Sequence, residues 1–209
     1  ADAYRAAGAS DCIPIYNALD PNLHFPVPAE SRFESALGLL NDHKPEREAR
    51  VKEFFLKPAA ALSDRKFTLG GAGWQPESMP TNINCVGEIP VDQRNAFNCS
   101  ARAILAMHCG CASRYGFSPP STVFEAAGAG ACLITDKWEG IDLFLEPDKE
   151  LLVAANGDEV AERLRQLTPE RARQLGEAAR ARVLSAHTYA HRAAKLERVL
   201  EEKAGRVIA

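Results

Sequence analysis

The sequence predicts an α/β fold: a Rossmann-like parallel sheet with helices on both faces. Two observations carry this. Short apolar runs, the length of buried strands, alternate along the chain with longer amphipathic segments. Glycine, proline and hydroxyl residues cluster where those runs end, as the ligand-binding rim of such a sheet requires.

The elements follow in order. Residues 11–18 read as an entry strand, and residues 21–28 as a proline-broken linker. Residues 36–40 are a short apolar strand. Residues 45–62 form an amphipathic helix with Pro45 in its first turn. Val51, Phe54 and Phe55 line one side, opposite Glu46, Arg47, Glu48, Arg50 and Lys52. Residues 66–69 and 83–86 are strands closing on glycines, Gly70-Gly71-Ala72-Gly73 and Gly87. A short helix at 92–98 and a buried strand at 103–107 come next. Ser118-Pro119-Pro120 reads as a helix start, with Ser118 as N-cap. The helix carries Glu125 and runs into a strand at 131–135 ending at Asp136. A further strand covers 151–155. Asn156 with Glu159 has the outline of a capping box, and Thr168-Pro169 opens another helix. The last helix spans about 190–203.

Composition bounds the function classes. The 209 residues suffice for a full core, and 46% hydrophobic with 25% charged is ordinary for a soluble globular protein. A net charge of -3 gives no reason to expect nucleic acid as a partner. No apolar run reaches the ~20 residues of a membrane span, so no membrane span is expected. Six cysteines lie without the spacing of a secreted scaffold, which suits reduced thiols and a cytoplasmic location.

The chemistry concentrates in Tyr115 to Gly140. A helix N-terminus aimed into a cleft binds phosphate through its free N–H groups and dipole. A nearby carboxylate can accept from sugar hydroxyls. The pairing suits a nucleoside diphosphate carrying a sugar. His108-Cys109-Gly110-Cys111 invites a zinc reading, but no second Cys/His pair supports it, and no metal is expected.

This stretch resembles the donor-nucleotide signature of GT-B glycosyltransferases, and the chain is similar to the CgeB-like (spore-maturation-protein-like) family. The likeness runs in order through Ile15 to Pro21, Pro45 to Val51, Gly70 to Trp74, Asn95 to Ser100, the signature itself and His187 to Ala193. It implies a C-terminal, donor-binding lobe whose N-terminal lobe is absent; the chain opens at Ala1-Asp2 in mid-pattern, as a piece of a longer protein would. Its domains are then 1–30, entry strand and linker; 31–187, the nucleotide-sugar-binding unit; and 188–209, a C-terminal helix. The resemblance implies a nucleotide-diphosphate sugar as substrate, no tightly bound cofactor and metal-independent transfer.

The candidate binding residues are Glu125 for the ribose, Ser118, Pro119, Ser121 and Thr122 for the diphosphate, and Gly71, Gly73 and Trp74 for phosphate or base. Phe117 stands where many GT-B enzymes carry a second glutamate. Bland readings exist for each: a helix-surface glutamate, a plain N-cap, a tight turn, a packing tryptophan. The chain also departs from the family at polar positions. Thr122 takes the place of an arginine, His108-Cys109 that of Asn-Arg or Thr-Arg, and Asn41-Asp42-His43 that of Gly-Asn-Arg. Arginine is the natural clamp for a diphosphate, so a catalytically degenerate lobe, serving as a sugar-nucleotide-binding or protein-interaction module, is the alternative.

Overall fold

The computed structural model describes residues 2–108 and 117–208. Helix α1 (Asp2–Ala6) is followed by an extended segment. Then come β1 (Leu37–Leu40), α2 (Pro45–Val51), a π-helical turn (Lys52–Leu56), α3 (Lys57–Ala61), β2 (Phe67–Gly70) and β3 (Ile83–Gly87). Next are α4 (Arg94–Ser100), β4 (Ile104–Ala106), α5 (Ser121–Gly128), β5 (Leu133–Asp136) and β6 (Leu152–Ala154). Three helices close the chain: α6 (Gly157–Gln166), α7 (Pro169–Ala186) and α8 (Tyr189–Ile208).

The six strands form one sheet in the order β3-β2-β1-β4-β5-β6, and every pairing is parallel. Parallel strands must be joined by crossovers, which lay helices on both faces and bury the sheet completely. Side chains alternate accordingly. Leu37, Leu39, Leu105 and Ile134 join Phe55, Phe67, Val160 and Leu164 in one core. Ile104, Ala106 and Leu133 join Phe97, Phe124, Ala127 and Val183 in the other. The strand order reverses between β1 and β4. At that switch point the connections leave in opposite directions and a crevice opens above the strand ends.

The predicted helix over 45–62 forms, but with its register slipped. The Lys57 N–H donates to the Lys52 carbonyl, five residues back. Pro58 has no N–H, and its ring would crowd the carbonyl of Phe54 in a regular α-helix; one wide turn removes the conflict. Both predicted caps of the last segment hold. Asn156 accepts from the Glu159 N–H at 3.0 Å, and Thr168 from Arg171 at 3.1 Å. Glu159 in turn accepts from the Ala155 N–H at 2.8 Å.

Two local expectations are corrected. Residues 11–18 form no strand. Pro14 lacks a donor, and Ile13 and Ile15 are exposed instead of facing a sheet. The segment is held by side chains, Lys195 Nζ donating to the Pro14 carbonyl at 2.9 Å and Arg192 Nη2 to the Asn17 carbonyl at 3.4 Å, and backbone pairing begins at Leu19. Leu19 donates to the His187 carbonyl at 2.8 Å and accepts from Tyr189 at 3.0 Å, between α7 and α8. Secondly, α5 starts at Ser121, so Ser118 is not its N-cap; Pro120 holds that position, with no side-chain cap. Among the described residues, no helix is long and apolar enough to cross a membrane.

Candidate functional site: the cleft at the switch point

A cleft of about 220 Å³ opens at the carboxyl ends of β1 and β4. Leu40 and Asn41 form one wall, Met107 and His108 another, and Ser118 to Thr122 the third; Arg47 of α2 reaches in from the side. Because α5 has no side-chain cap, the N–H groups of Ser121 and Thr122 make no hydrogen bond among the described residues. They and the positive end of the helix dipole face the cleft. Arg47 Nη1 donates to Asn41 Oδ1 at 2.8 Å, which holds the guanidinium at the cleft edge. A small, concave, positively biased pocket results, suited to a phosphate group.

Beneath it lies a buried ionic cluster. Asp136, at the end of β5, is 2% exposed. Its Oδ1 accepts from the His108 backbone N–H at 3.0 Å and lies 3.3 Å from His108 Nδ1. Its Oδ2 accepts from Arg50 Nη2 at 2.6 Å. Burial pushes the Asp136 carboxyl up. The hydrogen bonds and charge of His108, with the Arg50 guanidinium, outweigh that and leave it below the ordinary carboxylate value. Arg50 also stacks over the Phe54 ring, 4.6 Å from its centroid. Ordinary helix periodicity put Arg47 and Arg50 on the solvent side of 45–62. The fold turns both toward the strand ends, and nothing in the spacing of α2 alone could separate a rim arginine from a solvated one.

The predicted residues divide. Ser118, Pro119, Ser121 and Thr122 line the cleft. Glu125 is one turn further along α5, half-buried, and is not among the lining residues. Phe117 is 41% exposed with a φ of 50°, held by its N–H donating to the Glu139 carbonyl at 2.7 Å. Gly71, Gly73 and Trp74 sit on the same rim but outside this cleft. Gly71 has a φ of 132° and passes so close to Asn41 that a Cβ would lie 2.2 Å from its carbonyl oxygen. The Gly71 and Ala72 N–H groups are spent on the Gly87 carbonyl (2.7 Å) and Asp42 Oδ1 (3.0 Å). The Trp74 indole donates to the Asn41 carbonyl at 2.6 Å. The loop therefore braces the wall of the cleft. Gly73 and Trp74 line a separate hollow of about 270 Å³ with His43 and Met79.

Cys109 and Cys111 of the zinc reading lie outside the described residues, as do Tyr115 and Gly116 of the signature. Among the described residues no three metal-ligating side chains come together. A larger open groove of about 950 Å³ runs along the opposite end of the sheet, past Ser35, Lys66 and Arg102. It faces the amino ends of the strands, away from the helix N-terminus and the ionic cluster.

Comparison with known proteins identifies the family and the fold. The glycosyl transferase-like family matches residues 45–198. The chain belongs to that family. Its parallel sheet, flanked by helices on both faces, is consistent with a Rossmann/GT-B-type lobe. Solved structures agree in fold. A sucrose-phosphate synthase from Thermosynechococcus elongatus superposes with a TM-score of 0.71 at 15% identity, over 98% of this chain and 56% of that one. An Anabaena protein solved in complex with UDP-glucose gives 0.66 at 14% identity, over 90% and 57%. The C-terminal domain of a glycosyl transferase group 1 family protein from Francisella tularensis gives 0.60 at 12% identity, over 80% of this chain and 97% of that domain. The chain thus spans just over half the length of the first two relatives. A search of curated proteins found no match.

Proposed function

We propose that this chain is the donor-binding lobe of a cytoplasmic, CgeB-like glycosyltransferase that uses a nucleotide-diphosphate sugar. Residues 31–187 form the binding unit, and an N-terminal lobe of the same protein presents the acceptor. The observation that carries this reading is the uncapped α5 N-terminus facing Arg47 across the switch-point cleft. The diphosphate lies between them, held by the Ser121 and Thr122 N–H groups and the guanidinium. As the glycosidic bond breaks, charge accumulates on the leaving nucleoside diphosphate, and the same donors stabilise it without a metal. Glu125, one turn along α5, accepts from the ribose hydroxyls. The arginine missing at Thr122 is replaced in this scheme by Arg47, which reaches the phosphate from α2 instead of α5. Cys12, Cys85, Cys99 and Cys132 are free thiols, in keeping with the cytoplasm.

The position of Glu125 outside the cleft lining favours a second reading, a degenerate lobe that binds sugar nucleotide weakly or serves another protein. Calorimetric titration with UDP, GDP, ADP and dTDP decides between them. We expect one nucleotide to bind saturably. Arg47→Ala weakens it by the loss of a charged hydrogen bond, about 1.5–3 kcal/mol or roughly 10–150-fold, and Glu125→Ala also weakens it. Absence of binding by all four would overturn the donor-lobe reading in favour of the second.

A further inference from the structure

We propose that His108 is a positioning residue for the donor diphosphate: its ring donates from both nitrogens at once, to Asp136 and to the Ser118 carbonyl, and so fixes the loop that aims α5 into the cleft. The inference rests on the donor-lobe reading and names a device within that site.

His108 is 4% exposed, and both ring nitrogens meet acceptors. Nε2 lies 2.6 Å from the Ser118 carbonyl oxygen, which can only accept. Nδ1 lies 3.3 Å from Asp136 Oδ1, an ionised carboxylate that also only accepts. A neutral ring carries one N–H and would turn a lone pair on one of them. The imidazolium satisfies both, and the Asp136 carboxylate compensates its charge. The other groups facing the ring among the described residues are few. The Trp138 ring, two residues past the end of β5, meets it edge-on at 5.0 Å, and Arg50 of α2 lies beyond Asp136. Arg47 and Asn41 stand across the cleft.

The connection to α5 is short. Residues 117–120 carry the chain directly into the helix. Phe117, a non-glycine residue at a φ of 50°, is held in that strained conformation by the Glu139 carbonyl on one side. On the other side the His108 bond to Ser118 is the next fixed point, three residues before the first helical N–H. Removing it loosens the first turn of α5, Ser121 and Thr122, relative to β4, while Glu125, a turn further along the helix, stays anchored by its buried neighbours Phe124, Ala126 and Ala127. His108 therefore affects phosphate binding and leaves nucleoside binding alone.

The test titrates the wild-type chain and His108→Gln with UDP, GDP, ADP and dTDP and with the four matching nucleosides, after thermal melting has shown that the variant folds. Glutamine can still reach one of the two acceptors but carries no charge. We expect diphosphate affinity to fall about tenfold or more, the loss of one charged hydrogen bond, with nucleoside affinity unchanged. In the wild type, the ring ¹⁵N shifts read directly whether both nitrogens carry a proton; a singly protonated ring overturns the double-donor geometry. Unchanged diphosphate affinity in folded His108→Gln, or equal losses for diphosphate and nucleoside, would overturn the positioning role alone. Should the variant not fold, ring ¹⁵N shifts of a singly protonated imidazole in the wild type overturn it. A wild type that binds none of the diphosphates overturns the donor-lobe reading, and the inference with it.

Discussion

Asp136→Asn removes one charge and almost no volume from the centre of the ionic cluster, and its consequence can be worked from the geometry. In the native chain the carboxylate receives three donors: Arg50 at 2.6 Å, the His108 backbone N–H at 3.0 Å and the His108 ring at 3.3 Å. Asparagine offers one acceptor oxygen. If that oxygen keeps His108, the amide group points its own hydrogens at the Arg50 guanidinium, a donor against a donor. Arg50 Nε is already buried without a partner, so the arginine has no second acceptor to turn to among the described residues. Breaking one side of a buried pair while leaving the other in place costs about 3–5 kcal/mol. Urea unfolding monitored by circular dichroism should show a loss of at least about 3 kcal/mol with an unchanged slope. The carboxyl's folded value lies below its ordinary 3.8, so its contribution is present above that pH and is lost as pH falls through the folded value. Wild type and variant should therefore converge in acid. A second substitution, Arg50→Met, made in the Asp136→Asn background, should cost far less than it does alone, because the cation is then already orphaned. A loss under about 1 kcal/mol in Asp136→Asn would refute the view that this cluster is a tight, mutually dependent unit.

Two further predictions address stability. Gly157 opens α6 against the π turn, where a Cβ would lie 2.1 Å from the Glu53 carbonyl oxygen. Gly157→Ala should cost about 1–3 kcal/mol in thermal or urea unfolding without altering nucleotide affinity, and a neutral result would show that α6 can shift to make room. His187, at the end of α7, stacks near Phe124 and Phe144 and takes a hydrogen bond from Arg192 on Nδ1 at 3.1 Å. Burial, with Arg192 and Arg182 beside it, lowers its value from 6.5 to about 4. The unfolded chain then binds the extra proton first. Stability is complete above 6.5 and declines as pH falls from there toward 4, by up to about 3 kcal/mol. Melting curves across that range should show the decline in the wild type and lose it in His187→Gln; equal curves would refute the assignment.

The split between what was legible and what was not follows the range of the interactions involved. Strands reveal themselves by apolar runs, and β1, β2, β3, β4, β5 and β6 all fall within two residues of the expected positions. The caps at Asn156 and Thr168 were legible because a cap is a bond between residues three apart. The same local logic misled at Ser118. A hydroxyl before two prolines is an ordinary cap pattern, yet the helix begins later and the Ser118 carbonyl goes to His108, ten residues away and on a different strand end. It misled at 11–18 too, since an apolar run becomes a strand only when a partner edge is available.

By itself, then, the sequence determined the alternation of strands and helices, the doubly covered parallel sheet and the glycine-rich rim, since each follows from side-chain periodicity and backbone freedom within a few residues. Only the tertiary structure decided that α5 presents an uncapped end and that Arg47 faces it. Only the tertiary structure, likewise, joined Arg50, His108 and Asp136 in one cluster. Arg50 and Asp136 are 86 residues apart in the chain. Their attraction is felt only after the sheet brings β4, β5 and α2 together and removes the water that would otherwise screen it.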